Sequence, residues 1–211
     1  MKHHNNKQYW KNMSRFYTFF ARSHSALYRS ICSRIAPYLT RDMNVLEVAC
    51  GTGQLSFPLS CRVRLWEATD FSEQMIERAK KQAGSSRLHF TVQDANSLPY
   101  APQTFDAAVI SNALHIMPHP ERALSEIHRV LKPDGLLFAP TFIHGGKTRS
   151  RFGMHLVNIT GFQSYHKWDE QEFIKFLSGH GFTVTEHAVL DGGPAPVCFA
   201  AAKKKTAHPF N

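Results

Sequence analysis

The residues best suited to chemistry lie in the run Val45-Leu46-Glu47-Val48-Ala49-Cys50-Gly51-Thr52-Gly53-Gln54-Leu55, an apolar stretch entering a glycine-bearing turn that opens a helix. Gly51 and Gly53 can take backbone angles closed to other residues and carry no side chain that would hold a ligand off the main chain, so a small cofactor can lie against this turn. A purely structural turn would use the same two glycines. Asp70 stands 17 residues after Gly53, at the end of the next strand-like run. A carboxylate there can accept both hydroxyl hydrogens of a ribose, or serve only as a capping aspartate. Asp94, in Val92-Gln93-Asp94-Ala95, ends a third run on the same edge. It could accept from an exocyclic amine, or cap its own loop.

What is missing narrows the cofactor. A dinucleotide fold calls for G-x-G-x-x-G, whose third glycine is here Ser56. No G-x-x-x-x-G-K-[ST] occurs, which excludes a phosphate-cradling ATPase loop. No Lys or Arg flanks the turn and the acidic Glu47 precedes it, so a positively charged cofactor fits better than a phosphate-rich one.

Bringing these residues to one edge takes an alternation of strands and helices. Strands are expected over 45–49, 63–69, 88–93, 105–111, 135–142, 183–190 and 197–202, with helices over 54–60, 72–83, 121–131 and 169–180. Ser72 and Asp169 suit N-caps, the latter with Glu172 completing a capping box, and Gly84 and Gly181 suit helix stops. The pattern predicts an α/β, doubly wound, mostly parallel seven-stranded Rossmann-like sheet with helices on both faces. Residues 1–43 are expected to form an N-terminal helical cap or lid, since Trp10, Met13, Phe16, Tyr17 and Phe20 fall on one helical face. Residues 44–211 form the main domain, interrupted by an insertion over about 143–168 that mixes basic and aromatic residues.

The chain has 211 residues, 43% apolar and 19% charged, a balance that supports a sizeable core in one domain. No run of about 20 apolar residues is present and no apolar leader follows Met1, so a cytoplasmic protein is expected. Four cysteines without a C-x-x-C pair indicate neither a disulfide scaffold nor a cysteine zinc site, and no metal is expected. The net charge of +9 is uneven: residues 1–44 hold eight Lys/Arg against one acid, whereas residues 45–142 hold nine against ten. The excess suits nucleic acid, an anionic membrane, an anionic small molecule or no partner at all.

The motifs resemble those of the class I S-adenosylmethionine-dependent methyltransferases, in their small-molecule, lipid and quinone branch. Glu47-x-Ala49-x-Gly51-x-Gly53 is similar to the family's acid-x-G-x-G-x-G, Asp70-Phe71-Ser72-x-x-Met75 to its ribose-acid segment and Gln93-Asp94-Ala95 to its adenine segment. Phe105-Asp106, Leu114-His115 and the block from Glu126 to Gly135 match its later strand, turn and helix-strand junction. Ala49 departs from the motif's first glycine and Asp134 from its Pro-Gly-Gly turn. The resemblance implies S-adenosyl-L-methionine as cofactor. It implies that Ala49, Gly51, Thr52, Gly53 and Gln54 meet the amino-acid end beside Glu47, that Asp70 holds the ribose, and that Phe71 and Met75 border the adenine. Asp94 and Ala95 would recognise its amine, Ser111 and Asn112 would face the sulfonium, and Tyr17 would close over the cofactor.

Methyl transfer from a sulfonium is an in-line displacement with a neutral leaving group, so alignment and exclusion of water matter most. If the acceptor must lose a proton, His115 is the first candidate base, or else a turn residue packing the lid. His144, Phe162, Tyr165 and His166 in the insertion are expected to bind a small, apolar or aromatic acceptor. No Asn/Asp-Pro-Pro-Tyr/Phe follows the fourth strand, which disfavours a DNA target. A membrane lipid or quinone acceptor, with peripheral membrane contact, is the alternative, as is a non-catalytic S-adenosylmethionine binder that contacts RNA. A nicotinamide oxidoreductase ranks third. The oligomeric state has no signature here.

Overall fold

Residues 45–48, 66–69, 107–110 and 197–202 are buried without a break, which a sheet covered on both faces allows. In the computed structural model, which describes residues 25–144, 165–193 and 195–206, β1 (Asn44–Val48), β2 (Leu65–Asp70), β3 (Leu88–Val92), β4 (Phe105–Ile110) and β5 (Leu131–Phe138) lie parallel in the order β3-β2-β1-β4-β5. β8 (Val197–Lys204) runs antiparallel between β5 and β7 (Phe182–Leu190). β6 (Thr141–Phe142) also pairs with β8, so it continues the line of β5 after a break at Pro140. Proline has no N–H to give to the ladder. The single strand expected over 135–142 is therefore two segments, and the seven expected strands are eight by segment among the described residues.

Alternate strand residues feed two cores. Val45, Trp66, Ala68 and Val109 pack beneath α1 (Ser25–Ile35), α2 (Ser56–Leu59) and α3 (Glu73–Lys80). Leu46, Val48, Ala108 and Ile110 pack beneath α4 (Pro120–Val130) and α5 (Glu170–Gly179). This is the doubly wound arrangement that the alternation predicts.

Helix ends follow their capping chemistry. The Ser72 hydroxyl accepts from the Met75 N–H at 3.4 Å. Asp169 and Glu172 form the reciprocal capping box at 2.8 and 2.9 Å. Gly181, at φ +86°, turns the chain out of α5. Gly84 does not stop α3, which already ends at Lys80. The turn at Lys132-Pro133-Asp134-Gly135 loops out of the β4–β5 ladder, producing the register shift between Phe105 and Ala107.

The aromatic face over 10–20 lies outside the described residues. α1 falls within the expected helical segment 1–43, and its Leu27, Ile31 and Ile35 recur at helical spacing. All three are buried, each contributing roughly 2 kcal/mol by removal from water. Within 1–43, then, Ser25–Ile35 packs into the sheet's own core. Arg34 and Tyr38 tie it to Glu186 of β7 at 2.8 and 2.6 Å.

Candidate cofactor site

The chain leaves β1 toward one face of the sheet and β4 toward the other, so the carboxyl ends of these neighbouring strands part into a crevice. The backbone there is unusual. Ala49, Gly51, Gly53 and Asn112 all have positive φ, at 57°, 58°, 89° and 52°. Left-handed backbone at non-glycine residues costs energy and concentrates at functional sites. A Cβ on Gly53 would lie 2.6 Å from Phe57, so that position requires glycine on two counts. The turn is held by Cys50 N–H donating to the Thr69 carbonyl (2.9 Å) and Gly53 N–H to the Cys50 carbonyl (3.1 Å).

Asp70, at the end of β2, accepts from the Gly51 N–H and the Ser72 N–H at 2.9 Å each. These bonds fix the carboxylate across the mouth of the glycine turn and leave lone pairs for two further donors. Burial pushes its carboxyl above the usual range, partly offset by these two bonds. Beside it Phe71 and Val92 are 36% and 46% exposed, an apolar rim at the ends of β2 and β3. Met75 lies behind that rim, buried within the fold. Asp94 is exposed and its Oδ1 accepts from both the main-chain and side-chain N–H of Asn96 at 2.9 Å, so it caps its own turn. Ala95 beside it is half-buried.

Glu47 is buried and its Oε2 accepts from the Ser56 hydroxyl and, at 2.8 Å, from the Trp66 indole N–H. Desolvation raises its carboxyl to about 7, against the lowering by these two donors. Ser56 and Trp66 were not anticipated as part of the site. Ser56 occupies the position of a dinucleotide fold's third glycine, and its hydroxyl explains that replacement. The Thr52 hydroxyl, in the buried floor of the turn, accepts from Gln54 Nε2 at 2.6 Å.

The opposite wall begins at the end of β4. Ser111 Oγ and Asn112 Oδ1 are buried and have no hydrogen-bond partner among the described residues, while Asn112 N–H donates to the Pro140 carbonyl at 2.7 Å. Orphaned polar atoms cost about 1–3 kcal/mol each, a cost that a polar or cationic ligand would relieve. His115, the expected base, is buried with Nδ1 3.2 Å from the Thr141 hydroxyl and its ring edge-on to Phe142. Burial, reinforced by His144 and His166, drives its imidazole down to about 3. The His115 carbonyl accepts from the N–H groups of Tyr165 and His166 at 3.0 and 3.1 Å, and His144 N–H donates to the Trp168 carbonyl at 2.7 Å. The two ends of the insertion therefore meet beside β4. Tyr165 is 40% exposed, and the His166 ring stacks on Trp168, itself stacked on Phe176. His144, Tyr165 and His166 thus stand together, while Tyr17 and Phe162 lie outside the described residues. Among the described residues no group of three His, Cys, Asp or Glu could hold a metal ion, and no helix is long and apolar enough to cross a membrane.

A family profile described as a methyltransferase domain matches residues 46–139. A demethylmenaquinone methyltransferase of Clavibacter sepedonicus is 31% identical over 169 residues, covering 71% of this chain and 69% of its own. A ubiquinone/menaquinone biosynthesis C-methyltransferase of Cereibacter sphaeroides is 38% identical over 104 residues, 46% of this chain and 42% of its own, so less than half of that relative is spanned. Among solved structures, a chain from the complex between the Haloferax volcanii Trm112 methyltransferase activator and its methyltransferase partner superposes with a TM-score of 0.81 at 15% identity, covering 97% of this chain and 99% of that one. That likeness is one of fold.

Proposed function

Because the chain belongs to the class I S-adenosylmethionine-dependent methyltransferases, we propose that its acceptor is a quinone-like, apolar ring and that the crevice between β1 and β4 holds the cofactor. The observation that carries the reading is the meeting, at one sheet edge, of the bridged Asp70 carboxylate with Ser111 Oγ and Asn112 Oδ1, which are buried and unpartnered among the described residues. The residues present fit S-adenosylmethionine. Gly51 and Gly53 leave room for its methionine end, Asp70 accepts from the ribose hydroxyls, and Phe71 and Val92 border the adenine. Asp94 and Ala95 meet the adenine amine, while Ser111 and Asn112 offer oxygen to the cationic centre. Glu47 acts from below, bracing Ser56 at the first turn of α2. Thr52 and Gln54 shape the turn, Met75 backs the adenine wall, and Ala49 borders the methionine end. Tyr17 is the proposed lid residue.

When bound, S-adenosylmethionine supplies an electrophilic methyl group whose sulfur leaves as a neutral thioether, so no general acid is needed. The chain's work is to align the acceptor and exclude water. The acceptor ring is proposed to pack against His144, Phe162, Tyr165 and His166, with the His166-Trp168-Phe176 stack giving that wall rigidity. C-methylation of a hydroquinone ring releases a proton. The half-buried imidazoles of His144 and His166 are proposed to receive it. His115, neutral at pH 7 and hydrogen-bonded to Thr141, is a positioning residue that fixes the turn carrying Ser111 and Asn112.

The relatives support the acceptor class, since those named above methylate demethylmenaquinone or act in ubiquinone and menaquinone biosynthesis by their names. The test is transfer of labelled methyl from S-adenosylmethionine to a panel of short-chain demethylquinols, catechols, amines and phospholipids in detergent. Label is expected in the quinol. Label in another class, with the quinol unmethylated, overturns the acceptor assignment.

A further inference from the structure

On the edge of the sheet opposite the crevice, the segments that enter β1, β2 and β3 line an open cleft of about 870 Å³. Arg41, Arg62 and Arg87 each come from a different one of these segments, and no acidic residue is among those that line the space. Among the described residues none of the three guanidinium groups has a hydrogen-bond or ion-pair partner, unlike Arg34, Arg64 and Arg129. The nearest acid in sequence, Asp42, is held by the Thr40 hydroxyl, and the cations that act on its carboxylate are Arg64 and Lys132. Three exposed arginines along the wall of one cleft, with no acid among its lining residues, make it electropositive and favour a bound anion.

The backbones that carry them are fixed. Met43 N–H donates to the Thr40 carbonyl (3.2 Å) across the turn bearing Arg41, and Arg62 closes a 3-10 turn by Val63 N–H to the Ser60 carbonyl (3.4 Å). The Arg87 carbonyl accepts from Trp66 N–H (2.8 Å), and its own N–H donates to the Ser85 hydroxyl (3.2 Å). Ser85 and Thr40 line the same space, the Thr40 hydroxyl donating to Asp42 and the Ser85 hydroxyl accepting from Arg87 N–H. Guanidinium forks match phosphate oxygens in pairs, and three of them exceed what one carboxylate needs.

We propose that this cleft is a second ligand site, distinct from the methyl-transfer crevice, that binds a small molecule carrying a diphosphate or an equivalent group with two or more negative charges. Single-stranded RNA is the weaker fit, because no aromatic side chain lines the cavity among the described residues and base stacking supplies much of such binding. An anionic membrane fits less well too, since docking by this edge would turn the crevice away from the lipid.

The test is calorimetric titration of the full chain with inorganic pyrophosphate at about 50 mM salt, where a partly exposed charge cluster is least screened. Parallel arms use an unstructured oligouridylate and phosphatidylglycerol vesicles. Saturable binding of one pyrophosphate per chain is expected, weakened at least about tenfold in Arg41→Gln/Arg62→Gln/Arg87→Gln and weakened less in each single variant. S-adenosylhomocysteine affinity in the triple variant should stay within about twofold of the parent, which also shows that the fold and the first site are intact. Absence of saturable pyrophosphate binding, or equal binding by the triple variant, overturns the proposal. So does tighter binding of oligouridylate or vesicles than of pyrophosphate when it is lost in the same variant.

Discussion

Glu47→Gln should stabilise the ligand-free protein at pH 8 and do little at pH 5. The carboxyl of Glu47 is buried among uncharged donors, and burial moves it from 4.5 to about 7. The folded state therefore holds the proton more tightly than the unfolded chain. Its contribution to stability is full below about 4.5 and is lost as pH rises through about 7. At 1.36 kcal/mol per tenfold change in proton affinity, the loss amounts to about 3 kcal/mol at pH 8. Glutamine keeps an oxygen that can accept from Ser56 and Trp66 but adds an NH2 that needs an acceptor, which trims the expected gain to about 1–3 kcal/mol. For a chain of this size that is a Tm rise of about 3–10 °C at pH 8, shrinking below about 3 °C at pH 5. Scanning calorimetry of both proteins without ligand at the two pH values makes the comparison. A Tm difference that is the same at both pH values, or a variant less stable than the parent at pH 8, refutes the reasoning that Glu47 is ionised at a cost. The same substitution should weaken binding of a cationic cofactor, since it removes the negative charge beneath the turn.

Ala49→Gly should raise stability by about 0.5–1 kcal/mol in urea unfolding, because φ 57° costs alanine more than the freedom glycine loses on folding. Gly181→Ala should lose about 1–3 kcal/mol in the same assay, since its Cβ would meet His128 Cδ2 at 2.8 Å in a left-handed position. His115 is held neutral down to about 3, so protonation favours the unfolded chain and its contribution is lost as pH falls from about 6.5 toward 3. His115→Gln should therefore flatten the acid side of the stability profile. It should also lower kcat/KM by about tenfold without moving the pH at which the rate rises, whereas a shifted pH profile would identify His115 as the base.

Most of the parallel sheet was legible in the sequence because β1, β2 and β4 are apolar runs of strand length, with the Ser72-capped helix α3 between β2 and β3. The Asp169–Glu172 capping box was equally plain, being a local contact. The break at Pro140 and the early end of α3 were not, since each depends on what neighbouring strands offer. The glycine turn and Asp70 could be read from type and spacing. The Ser56 and Trp66 hydrogen bonds to Glu47 could not, because they join three segments through tertiary packing. His115 drew attention by its position after β4, yet its burial against Thr141 and Phe142 depends on a strand that follows it by 26 residues. The arginine cleft is invisible along the chain, as its three residues come together only when β1, β2 and β3 align.

The most direct measurement of the central claim is calorimetric titration of S-adenosylhomocysteine into the parent protein and into Asp70→Ala. The account predicts one molecule bound per chain with micromolar affinity, about −8 kcal/mol, and at least about a hundredfold loss when the carboxylate between Gly51 and Ser72 is removed. No binding by the parent, or undiminished binding by the variant, would contradict it.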